Sequence, residues 1–175
     1  MPQPAGGAAP PGNLMMTRSS LISALAVATL AGSDAGAQAT GNYATDLSRV
    51  YEAPQLIRAI KEACEAADTG SRAANEAAYN SWRRRHQALL HELEVRFTAM
   101  VRGASSDEQD YAKNLGKYAG AVVEYRQELK DQFLSQPPQE VERHCRELPQ
   151  YLRGENANLP KRYAEELKSV RKRKL

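Results

Sequence analysis

Two cysteines and three histidines in 175 residues leave few ligands for a metal or redox centre. No glycine-rich phosphate loop, no G-x-S-x-G elbow and no acidic run at calcium-loop spacing is present, which removes the sequence signatures of nucleotide, serine-hydrolase and EF-hand chemistry. Alternating β-branched runs bounded by turns are missing too, so strands are not expected. No convincing repeat and no unbroken heptad pattern occurs. One stretch begins like a zinc-protease motif: His91-Glu92-Leu93-Glu94. A zincin needs its second His one helical turn later, on the same face, and Val95 stands there. His86 precedes His91 by an angle of about 140° around a helix, away from any shared metal. No metal and no cofactor is therefore expected, and no catalytic residue is assigned.

What is present divides sharply by composition. Residues 1–14, rich in Pro, Gly and Ala, have no apolar period and cannot bury a core. They read as a flexible segment or as a mis-assigned start, with Met1, Met15 and Met16 all open as initiators. Residues 15–39 place Arg18 before an apolar run from Leu21 to Gly32, followed by small residues ending Ala37-Gln38-Ala39. This is the three-part layout of a secretory signal peptide with a small-x-small cleavage site. The mature chain is expected to start at Thr40, in the periplasm or outside the cell. The apolar run is about a dozen residues, short of the roughly 20 that span a bilayer, and no transmembrane span is expected.

Export changes how Cys64 and Cys145 are read. In an oxidising compartment a lone pair of cysteines is most simply one intramolecular disulfide, here closing a loop long enough for about 4 to 5 kcal/mol in the chain-entropy model. The alternative is a reactive thiol at Cys145 beside His144. It is weaker, because consecutive helical residues do not face one another.

Residues 40–175 read as a single helical domain with a basic C-terminal tail. After a polar, irregular lead-in from Thr40 to Val50, Pro54 suits a first helical turn, and Leu56, Ile57, Ile60, Ala63, Cys64 and Ala67 recur at three-four spacing. A second stripe runs through Tyr79, Trp82, His86, Leu89, Leu90, Leu93, Phe97, Met100 and Val101. It predicts one helix on the order of 45 Å long, ending near Gly103. A third, capped by Ser106 or Asp107, passes through Tyr111, Leu115, Tyr118, Val122, Tyr125, Leu129 and Phe133 and stops at Pro137-Pro138. A short fourth segment, Gln139 to Leu148, is ended by Pro149. Asn158 caps a last helix with Pro160 just inside it. The fold class is all-α: a small bundle with two long antiparallel helices joined near Gly103, shorter helices against them, and one disulfide tying the first helix to the fourth segment.

Two basic features stand out. Trp82 is followed by Arg83, Arg84 and Arg85, and the C-terminus carries Lys168, Arg171, Lys172, Arg173 and Lys174. Solvated helix faces, and cations complementing a helix C-terminus, account for both. As a binding surface they point, in an exported protein, to an anionic envelope component or an acidic protein rather than to nucleic acid. Tyr79, Trp82, Tyr111, Tyr118 and Tyr125 divide in the same way between core packing and a binding surface. Carboxylate pairs such as Glu92 and Glu94 sit among Arg and Lys, not in an apolar setting suited to acid catalysis.

Cys64-Glu65-Ala66-Ala67, then Ala77 to Arg85 (A-A-Y-N-S-W-R-R-R), then Cys145, resemble small exported bacterial helical proteins with a Cys…Trp-Arg…Cys pattern. Faintly, they are similar to the LprI-type lysozyme-inhibitor family. That resemblance implies an exported, disulfide-stapled helical protein. The family places a further Cys shortly after its Trp-Arg motif, where this chain has none, and no inhibitory residue is carried over. The expectation is a non-catalytic protein that binds a macromolecule or envelope component, its partner and oligomeric state unassigned. The alternatives are an inhibitor of a cell-wall hydrolase and a chaperone-like or anionic-surface-binding protein. An enzyme would need a pocket holding His86 or His91 beside a carboxylate.

Overall fold

Asn42 opens the first helix. Its side-chain oxygen accepts the Thr45 N–H at 3.1 Å, satisfying one of the donors a helix start leaves over, and its carbonyl accepts the Asp46 N–H at 2.9 Å as the first bond of the helical ladder. In the computed structural model, which describes residues 39–174, helix α1 (Tyr43–Ala67) therefore includes most of the expected lead-in. Pro54 lies inside α1 rather than at its start. The ring removes one backbone donor, but packing on both sides holds the helix through it: Val50, Ala53 and Ile57 are all buried. Nearly all of the expected export segment, residues 15–39, and the whole of residues 1–14 lie outside the described residues.

The second stripe folds as two helices, α2 (Arg72–Arg85) and α3 (Gln87–Gly103), separated by His86 alone. The backbone there has φ −102° and ψ 7°, yet the helical ladder continues across it. The His86 N–H reaches the Trp82 carbonyl at 3.1 Å and the Leu90 N–H reaches the His86 carbonyl at 2.9 Å. The imidazole Nδ1 also lies 2.9 Å from that same Trp82 carbonyl, so the carbonyl at the break meets both the His86 backbone N–H and its ring.

Helix α4 (Glu108–Leu134) starts as expected, with the Asp107 carboxylate accepting the Asp110 N–H at 2.9 Å. Helix α5 (Pro138–Arg153) has Pro138 in its first turn and carries Pro149 internally instead of ending there. Its inner face explains the persistence: Val141, His144, Cys145, Leu148 and Leu152 are buried at three-four spacing. A 3-10 turn (Glu155–Ala157) leads to α6 (Leu159–Arg162), where Asn158 caps the Lys161 N–H and Pro160 sits in the first turn. Helix α7 (Ala164–Arg171) closes the fold.

The fold is all-α; no strand occurs among the described residues. Helix α1 is central and touches α2, α3, α4, α5 and α7. Its largest contact is with α4; these are the two longest helices, of 25 and 27 residues. α2 packs chiefly on α5. The Cys64–Cys145 disulfide joins α1 to α5 across 81 residues, with both cysteines fully buried. Leu47, Val50, Trp82, Leu93, Phe133, Leu152, Leu159, Leu167 and Val170 complete one core drawn from all seven helices. No helix among the described residues is long and apolar enough to cross a membrane.

Candidate binding surface

The α1–α2 corner opens into a groove of about 380 Å³ lined by Pro54, Gln55, Arg58, Lys61, Glu62, Glu76, Tyr79, Asn80 and Arg83. Its floor is a web of neutralised charge. Lys61 Nζ sits 2.8 Å from Glu65 and 2.6 Å from Glu76, and 5.5 Å above the Tyr79 ring. Burial works against its charge, but the two carboxylates outweigh it and the Lys61 pKa rises. Arg58 pairs with Glu62 at 2.8 Å, and the Asn80 amide donates to Glu76 at 2.8 Å. Burial pushes the Tyr79 phenol upward, with nearby Arg83, Arg58 and Lys61 pulling the other way. Of the three cations in the groove, Arg83 alone has no ion pair with a described residue. The corner thus offers fixed polar partners and one uncommitted guanidinium. It holds no nucleophile beside a base.

The sequence-level candidates separate clearly. Trp82 does not belong to a surface: it is 1 % exposed, its indole Nε1 donates to the Ala157 carbonyl at 2.7 Å, and it stacks near Tyr79 and His86. The apolar spacing put it inward, and a buried indole needs a partner for its N–H. Arg85 donates to the Leu152 carbonyl, tying α2 to the end of α5. Arg83 and Arg84 face solvent.

At the other end of the molecule Arg171 grips Glu92 with two nitrogens, at 3.0 and 2.6 Å. Glu92 also accepts from Arg96 Nε at 2.9 Å, and Arg96 Nη1 donates to the carbonyls of Val170 and Arg173 at 3.2 and 3.0 Å. Arg96, only 8 % exposed, thereby satisfies a last-turn carbonyl of α7 and one just beyond the helix. Arg171's guanidinium, ahead of the opposing effect of burial and the help of Arg96, holds the Glu92 carboxyl below its ordinary range. Arg173 lies over the Tyr43 ring at 4.8 Å. Lys168 is 4.0 Å from Glu165, with both side chains largely exposed, and Lys172 and Lys174 are exposed. Arg171 and Arg173 hold the C-terminal end in place. Lys168, Lys172 and Lys174 project from it.

The tyrosines are mostly spent on packing. Tyr118 meets Phe97 edge-on at 5.4 Å, and Phe97 stacks on Tyr51 at 4.6 Å. Arg102 covers Tyr111 at 4.4 Å. Burial, then the negative charge of Glu52, pushes the Tyr125 phenol up to about 12. Val123, 56 % exposed, is the most open large apolar side chain among the described residues.

His86 is buried, with both ring nitrogens engaged by backbone. Nε2 accepts the Leu159 N–H at 3.3 Å, so Nδ1 carries the proton and donates to Trp82. His91 is exposed, and neither histidine lines the groove. Among the described residues no group of three His, Cys, Asp or Glu is placed to hold a metal ion. Sequence reasoning missed Lys61, Glu76 and Arg58 as neighbours in the groove and Arg96 as a cap, because each depends on contacts between helices and has no local spacing signal. Compared with family models, curated proteins and solved structures, the chain matches none.

Proposed function

We propose that this is an exported, non-catalytic helical protein that binds an anionic envelope surface through its C-terminal end. One observation carries the reading: Lys168, Lys172 and Lys174 project into solvent from a helix end that Arg96, Glu92 and Arg171 fix to the domain. A cationic cluster held in place loses less freedom on binding than a free tail does. Residues 168–174 contain five cations and no acid, and each lysine near an anionic membrane contributes about 1 kcal/mol. The Cys64–Cys145 disulfide supports an oxidising compartment, where such surfaces are met.

The test is binding of the oxidised protein to vesicles of phosphatidylglycerol against phosphatidylcholine, at rising salt. Selective, salt-sensitive binding to the anionic vesicles, weakened about 100-fold in the Lys168→Gln, Lys172→Gln, Lys174→Gln triple variant, is expected. An unchanged affinity in the triple variant refutes the reading.

A further inference from the structure

Asp46 is a buried carboxyl at the N-terminal end of the domain. It sits in the first turn of α1 and is 0 % exposed. One carboxylate oxygen accepts both the Thr40 backbone N–H and the Thr40 hydroxyl, each at 2.8 Å, and the other accepts the Gly41 N–H at 3.1 Å. The Ser169 hydroxyl of α7 reaches it as well. All of these donors are uncharged, and burying a carboxylate without a cation is costly. Gly41 adopts φ +75°, a conformation glycine takes without penalty, and this lets two successive backbone N–H groups close on one carboxylate.

The nitrogen nearest Asp46 belongs to the residue that follows the small-x-small sequence Ala37-Gln38-Ala39. We propose that hydrolysis of the Ala39–Thr40 peptide bond converts the Thr40–Asp46 hydrogen bond into an ion pair, so that processing itself locks the start of α1. The idea rests on the export reading above. An envelope endopeptidase supplies the active site and water the nucleophile. The C–N bond breaks as the water oxygen bonds to the Ala39 carbonyl carbon, Ala39 leaves as a carboxylate, and the Thr40 nitrogen keeps the electron pair of the broken bond and takes up both protons of the water to become an ammonium. That ammonium forms 2.8 Å from the buried oxygen and supplies the cation Asp46 lacks. Thr40 itself is exposed, so the bond on its N-terminal side is open to a protease. A cut one residue earlier would set the charge more than 3 Å further along the chain and miss the site.

The experiment compares the full chain recovered after export with the same chain left unprocessed, both oxidised at Cys64–Cys145, by intact mass and by thermal unfolding from pH 6 to pH 11. A free α-amine titrates near 7.7 to 8.0 in an unfolded chain. Pairing raises that value in the folded state, so the extra stability is complete below about pH 7.7 and disappears as pH rises through the folded value. The ionisable groups around this end, Tyr43 and Arg49 on α1 and Arg173 just beyond α7, are common to both chains and cancel in the difference. Expected is a mass beginning at Thr40 and a Tm about 3 °C higher for the processed chain at pH 6 to 7, vanishing by pH 11 and absent in Asp46→Asn. A mass beginning at Thr40 with no pH-dependent Tm difference overturns the ion pair while leaving export intact. A different mature N-terminus, or none, overturns the export reading and the proposal with it. Because the first comparison uses the natural sequence, it stands even if Asp46→Asn fails to fold.

Discussion

The indole N–H of Trp82 and the carbonyl of Ala157 meet at 2.7 Å across 75 residues of chain. This bond fastens α2 to the turn before α6, and Trp82 is otherwise wrapped by the core. Trp82→Phe keeps most of the apolar contact but leaves a buried carbonyl unpaired, a loss of about 1 to 3 kcal/mol. Trp82→Ala adds a cavity and should cost about 3 to 5 kcal/mol. Urea unfolding should rank the three proteins in that order.

His86 carries its proton on Nδ1 because Nε2 faces the Leu159 N–H. Nitrogen NMR of the imidazole at neutral pH should show that tautomer. His86→Phe removes the acceptor of a buried N–H and should cost about 1 to 3 kcal/mol, with faster amide exchange at Leu159.

Closing 81 residues with the Cys64–Cys145 bond removes enough unfolded-state freedom to stabilise the fold by about 4.5 kcal/mol in the chain-entropy model. Replacing both cysteines by alanine should lower the denaturation midpoint accordingly. Reducing the natural protein should have a comparable effect.

Glu92 links acid stability to the C-terminal end. Arg171 first, then Arg96, holds its carboxyl below the ordinary 4.5 against the opposing effect of burial. A carboxyl with a depressed folded value adds stability that is present above about 4.5 and is lost as pH falls through the folded value. Below pH 4.5 the protein should therefore lose stability more steeply than a Glu92→Gln variant, although Asp46, also held low through its hydroxyl and backbone donors despite burial, keeps part of the slope in both.

The helical class, the caps at Asp107 and Asn158, and the inward faces around Cys64 and Cys145 were legible because each depends on residues within one turn or on a single stripe. The two internal prolines were not: local chemistry places Pro54 at a helix start and Pro149 at an end, and only packing on both sides carries α1 and α5 through them. His86 lies on the apolar stripe like its neighbours, so nothing in the local spacing marks the interruption there or the contact of its ring with Leu159. The basic tail is a similar case. Spacing shows five cations, but Arg171 is committed to Glu92 from 79 residues away and Arg173 to the Tyr43 ring. Three lysines are left facing solvent.

Because the sulfur bridge spans from α1 to α5, the chain between Cys64 and Cys145 forms a covalent ring that includes α2, α3 and α4. One protease cut inside that ring yields two pieces that remain bonded to each other. Shedding any part of it takes two cuts, or one cut and a reductant, so a single nick leaves the domain covalently whole.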